Sequence, residues 1–127
     1  MQMTSPSKLI KIYLAVPYSG MHKSSYKQCT EATVAILKLG GFNVYSPITH
    51  SHPLHMAGLG GGWDFWQQID LQFVDWADEL WVLVPKEGIK KVLLSTGVIA
   101  EVQYAHRKKK SVSLVCMKDG KIHNYEL

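Results

Sequence analysis

At 127 residues, with 46% hydrophobic content and a formal charge of +4, the chain is long enough to bury one ordinary core without disulfide or metal staples. Cys29 and Cys116 stand far apart inside apolar patterns, with neither CxxC nor metal-like spacing, so free buried thiols and a reducing, cytoplasmic setting are expected. The N-terminal MQMTSPSK has no apolar stretch, and no later segment approaches about 18 uninterrupted apolar residues, so neither secretion nor membrane insertion is expected.

Leu9 to Val16, LIKIYLAV, is a mostly apolar run of strand formers stopped by Pro17, the pattern of a strand covered on both faces. Ser24 or Ser25 is suited to cap a helix whose apolar positions Cys29, Ala32, Ile36 and Leu39 recur at helical spacing until Gly40 and Gly41. Phe42 to Ser46 reads as a second strand. From Pro47 to about Gly62 the sequence predicts a long loop holding His50, His52, His55 and three consecutive glycines. Loops of that length in small domains are usually functional or mobile. Trp63 to Ala77 has a helical pattern, and Glu79 to Val84 reads as a third strand. A loop from Pro85 to Leu94 leads to a helix opened by Ser95, then a strand at Ser111 to Met117 and, past Asp119 and Gly120, a last short strand near Ile122 to Tyr125.

Strands alternating with helices predict a single-domain, three-layer α/β fold, Rossmann-like or flavodoxin-like, around a mostly parallel sheet of about five strands. The ligand crevice of such a sheet lies at the carboxyl ends of its strands. That rule gathers Tyr18, Ser19, the histidine loop and the helix start at Ser95 at one edge. The basic run Arg107 to Lys110 falls at a helix C-terminus, where cations complement the dipole. No aromatic residues interleave with it, which argues against nucleic-acid contact.

Two acids sit at or near a face where a core is expected. Trp63, Trp66, Asp70, Phe73 and Ala77 are spaced by three and four residues and share one helix face, with Asp70 its only polar member. A carboxylate among indole and phenyl rings is costly unless it is paired, protonated or lining a cavity. Pattern alone leaves open a structural Asp bonded to backbone or to a buried base, and an acid serving a site. Glu101 lies about 100° round its helix from Val102, a boundary position rather than a core one. Two carboxylates flanking one crevice are what glycosyl transfer requires, one at the anomeric carbon and one for the leaving group's proton. Ser95 as N-cap, with free N–H groups around Thr96 and Gly97, offers a corner for an anion or hydroxyl. Plain capping accounts for the same residues.

Together, IYLA at Ile12 to Ala15, the Asp70 helix running into ADELWVLV, and STGVIAE with its S-x-G-x-x-x-E spacing resemble the nucleoside 2-deoxyribosyltransferase superfamily. That superfamily includes deoxynucleoside 5′-monophosphate N-glycosidases, and the likeness covers nearly the whole chain in the order of its elements. LAVPYS and SPITHSHP are most similar to its small members. The resemblance implies that Glu101 is a nucleophile forming a covalent deoxyribosyl ester and that Asp70 contacts sugar and base and helps protonate the departing base. It implies further that the Tyr13 hydroxyl orients Glu101, and that Ser95 and Gly97 bind the 5′ end of the sugar. Asp78 matches a structural position before the third strand. Tyr18, Ser19, His52 and Trp66 complete the expected substrate-binding set.

Two segments depart from the family. VPYSGMHK replaces the Gly/Ser/Arg-rich loop of the nucleotide-hydrolysing relatives, leaving Ser19, Gly20, His22 and Lys23 as phosphate contacts, and THSHPLHMAGLGGG is an insertion. Trp63 or Trp66 is a candidate for stacking on the base. The histidines lack a regular metal spacing, so no metal and no organic cofactor are expected. The reading is an enzyme that breaks the N-glycosidic bond of a (deoxy)nucleoside or its 5′-monophosphate, by hydrolysis or base exchange. A non-catalytic nucleotide-binding or sensing domain of the same fold is the alternative. Relatives complete their sites across subunit contacts, so a homodimer or larger assembly is expected.

Overall fold

The computed structural model describes residues 8–127, and nearly all of the N-terminal stretch considered above for targeting signals lies outside the described residues. Strands β1 (Ile10–Ala15), β2 (Phe42–Tyr45), β3 (Glu79–Leu83), β4 (Ser111–Lys118) and β5 (Lys121–Asn124) form one sheet in the order β2-β1-β3-β4-β5. The first four are parallel. β5 returns antiparallel beside β4 through a turn in which Asp119 and Gly120 take positive φ values of 53° and 75°. Helices α1 (His22–Leu39), α2 (Pro47–Met56), α3 (Trp63–Trp76), α4 (Ile89–Leu93) and α5 (Thr96–Arg107) fill the connections.

Alternation along β1 sends Leu14 and Val16 to one face of the sheet and Tyr13 and Ala15 to the other. The first pair packs with Cys29, Ala32 and Ile36 of α1, and the second with Val74 of α3 and Val98 and Ala105 of α5. These two clusters are the two halves of a three-layer sandwich, as the alternating pattern requires. Both cysteines are buried and free. Among the described residues, no helix is long and apolar enough to cross a membrane.

The elements differ from the sequence expectation in three places. α1 starts at His22, ahead of both serines, because these side chains are used elsewhere: Ser25 donates to the Pro17 carbonyl and Ser24 to the Glu87 carboxylate at 2.6 Å. The first part of the expected long loop is α2, capped by Ser46, whose hydroxyl accepts from the Thr49 N–H at 3.4 Å. Pro47 stands at the start of that helix, where its missing N–H would have been unpaired anyway. The expected loop from Pro85 to Leu94 contains the short helix α4.

The basic run serves the fold. Lys110 Nζ donates to the carbonyls of Asp75 and Ala77 at 2.8 and 2.6 Å, closing the C-terminal end of α3, while Lys108 lies over the Tyr104 ring and 3.7 Å from the Asp75 carboxylate. Asp78 is likewise structural: its carboxylate accepts the Lys11 backbone N–H at 2.9 Å.

Candidate active site

The chain leaves β1 on one side to reach β2, and the sheet continues on the other side into β3, so a crevice opens at the carboxyl end of β1. A cavity of about 360 Å³ occupies it, lined by the loop after β1, one face each of α2, α3 and α5, and Lys91 of α4. That volume is at the lower end of the roughly 300–1,000 Å³ common for small-molecule sites, enough for one compact ligand.

Glu101 and Asp70 both line this cavity and are only 4% and 7% exposed. The boundary position expected for Glu101 is therefore corrected: α5 buries Val98, Glu101 and Ala105, a stripe at steps of three and four, and leaves Val102 partly covered. Tyr13, wholly buried on β1, donates its hydroxyl proton to Glu101 Oε2. Burial drives up the proton affinity of both acids, Glu101 to about 8 and Asp70 to about 7. On Glu101 the Tyr13 bond works in the opposite direction and the charge of Asp70 adds to the rise. Burial, reinforced by the negative charges of Glu101 and Asp70, holds the Tyr13 hydroxyl well above its ordinary range, so it remains a donor. Near neutrality the pair therefore carries between one and two protons, the more firmly held one on Glu101, and passes through its one-proton form just above pH 7. Its ionised form on Glu101 has a hydroxyl donor, and Asp70 has no side-chain partner among the described residues.

These residues come from β1, α3 and α5, and the sequence that spans them, residues 10–117, matches the family described as Domain of unknown function (DUF1937). The chain belongs to that family. Among solved structures it is similar to the 2-desoxiribosyltransferase from Leishmania mexicana, at 15% identity and a TM-score of 0.48, over 93% of this chain and 81% of that one. No curated protein matches the sequence.

The remaining expected residues fall into two groups in this DUF1937 member. Tyr18, Ser19, Trp66, Ser95 and Gly97 lie on the cavity wall, with Trp63 beside them. Ser95 caps α5, its hydroxyl accepting from the Val98 N–H at 3.2 Å. The close neighbour of Gly97 is protein: a Cβ built there would stand 3.4 Å from the Trp63 ring, at van der Waals contact, so the indole lies against the start of α5. His52 is set one layer back. It is buried, stacked on Tyr26 at 4.4 Å, and its Nδ1 lies 2.7 Å from the Tyr18 hydroxyl, so it holds a wall residue in place.

His22 and His55 do reach the wall, their rings 4.9 Å apart and His22 stacked on Tyr18 at 4.1 Å. Burial first, then the imidazoles of His55 and His52, hold His22 below the ordinary imidazole range. Lys23 is exposed and off the wall, and the cation present there is Lys91, which has no sequence signal beyond a short basic stretch. Among the described residues, no group of three or more His, Cys, Asp or Glu has a metal-binding arrangement.

Proposed function

We propose that this protein cleaves the N-glycosidic bond of a (deoxy)nucleoside 5′-monophosphate, with Glu101 as nucleophile and Asp70 as the acid that protonates the leaving base. The observation that carries this reading is the buried carboxyl pair on one small cavity, with a tyrosine hydroxyl bonded to one member only. A binding domain gains nothing from keeping two carboxyls under such strain, whereas covalent glycosyl transfer needs both. The resemblance of IYLA and STGVIAE to the deoxyribosyltransferase motifs supports the same assignment.

The reacting form is the one-proton arrangement with the proton on Asp70 and the charge on Glu101, where the Tyr13 hydroxyl donates to it, and from that form a Glu101 carboxylate oxygen bonds to C1′ as the C–N bond breaks. The bonding pair leaves with the base nitrogen, which takes the proton of Asp70 directly or through the ring. The transition state is oxocarbenium-like, and a carboxylate in a site shielded from water stabilises it strongly. The glycosyl ester is then opened by water, whose proton passes to the Asp70 carboxylate, restoring both groups and releasing sugar phosphate. A second base in place of water gives base exchange from the same ester. Ser19, His22, His55, Lys91 and Ser95 supply the donors for a 5′-phosphate, which favours the monophosphate and hydrolysis. As in the relatives it resembles, cytoplasmic assembly into a homodimer or larger oligomer belongs to this reading.

The test is incubation with a panel of nucleosides and 5′-monophosphates, following free base, free sugar phosphate and incorporation of a labelled competing base. Base release with sugar phosphate is expected. Efficient label incorporation into an unphosphorylated nucleoside, with little free sugar, would replace hydrolysis by transfer. Release from no substrate would leave the non-catalytic nucleotide-binding domain as the answer.

A further inference from the structure

α2 is built from the inserted segment, and it brings to the cavity one polar side chain that the chemistry above does not use. Ser51 is 9% exposed and lines the cavity beside Pro47 and Ile48. A helical serine or threonine commonly returns its hydroxyl to the carbonyl four residues back. Thr30 and Thr33 do this in α1, each at 2.7 Å, and Ser25 donates to Pro17. Ser51 makes no such bond to Pro47 and has no other side-chain or backbone partner among the described residues. Among those residues the Tyr45 hydroxyl is the one enclosed, unpaired side-chain polar atom, so Ser51 Oγ keeps open space beside it, and the space Ser51 borders is the cavity.

The position of Ser51 relative to the acids gives its ligand a chemical class. Glu101 must approach C1′ from the side opposite the leaving group, so the base lies on the Asp70 side of the sugar. The β2–α2 junction is on that side: Tyr45 stacks on Phe73 at 3.8 Å, and Phe73 is one turn from Asp70. On the Pro47 and Ile48 side of Ser51 the α2 wall is apolar, with His55 one turn further along, and Trp63 and Trp66 contribute indole surface from α3. A flat ring with a polar edge matches such a slot.

We propose that Ser51 determines base specificity, its hydroxyl pairing with a polar atom on the edge of a planar heterocyclic base held between α2 and α3. This rests on the glycosidic reading above. A hydroxyl both donates and accepts, so Ser51 recognises the presence of an edge carbonyl, amino group or ring nitrogen rather than one of them alone.

The experiment compares Ser51→Ala and Ser51→Thr with the unchanged protein on two 5′-monophosphates, one with the full base edge and an analogue in which a C–H replaces the edge group. Ser51→Ala is expected to lower kcat/KM for the full base by about 3- to 10-fold, the worth of one hydrogen bond, and to leave the analogue within about 2-fold, so the preference collapses. Ser51→Thr keeps the hydroxyl and is expected to restore the preference. The melting temperature of Ser51→Ala should hold or rise, because no internal bond is lost. An equal loss on both substrates, or a preference that survives Ser51→Ala, overturns the assignment while base release still supports Glu101 and Asp70. A clear fall in melting temperature makes Ser51 a structural residue and overturns it as well. If the unchanged protein releases base from neither substrate, the glycosidic reading fails first and the Ser51 assignment with it.

Discussion

Glu101→Gln separates the cost of burying a carboxyl from the chemistry it performs. In the unfolded chain Glu101 ionises around its ordinary 4.5, whereas burial in the native site raises the value to about 8. Between those limits the native state binds more protons than the unfolded state, so this group makes stability fall as pH rises from about 4.5 to about 8 and leaves it lowest above that window. At about 1.4 kcal/mol per pH unit the full shift amounts to roughly 5 kcal/mol. Water entering the cavity and movement of Asp70 reduce what is measured to about 2–4 kcal/mol. Glutamine keeps the shape and an amide oxygen to accept from Tyr13, and it removes the titration. Above pH 8 the variant should melt higher than the unchanged protein by roughly 6–15 °C, and the two should converge near pH 5. Base release should fall at least ~100-fold. The assay is a set of thermal melts from pH 5 to 9 for both proteins beside turnover at each pH. Parallel stability curves would refute the burial argument, and near-normal turnover would refute the nucleophile.

The acid partner and a third group give three further outcomes. With the pair titrating near 7 and 8, its one-proton form peaks between those values, so kcat/KM for base release should follow a narrow bell. Asp70→Asn should abolish the alkaline limb and lower turnover at least ~10-fold while melting as high or higher above pH 7. A loss of stability with turnover kept would make Asp70 a structural residue. Tyr45→Phe removes the hydroxyl that is enclosed and unpaired, and whose proton is held to about 12 by burial and then by the charges of Asp70 and Glu101. It should gain about 1 kcal/mol in denaturant unfolding. A loss of similar size would mean the hydroxyl is bonded in solution.

The sheet and its flanking helices were legible because each depends on a local period: LIKIYLAV and ELWVLV read as strands, and Cys29, Ala32 and Ile36 as a helix face. Asp70 was legible as an anomaly, since a lone carboxylate in an apolar stripe conflicts with burial and its neighbours make the conflict visible. Glu101 was placed too far out because its angle was measured from Val102 as though that residue faced the core, whereas α5 turns Val98, Glu101 and Ala105 inward. Its partner could not come from pattern at all: Tyr13 lies 88 residues away, and only the family resemblance joined them. α2 was obscured by two prolines and three histidines, although Ser46 followed by Pro47 is an N-cap and first-turn signature. Ser51 and Lys91 carry no sequence signal, because what distinguishes a free serine from one bonded to its own helix is the choice of partner, and that choice exists only in three dimensions. Local chemistry therefore exposes a site where it contradicts the pattern around it. It hides a residue that stands out only by lacking the partner it would normally have, and in this cavity Asp70 belongs to the first kind and the hydroxyl on α2 to the second.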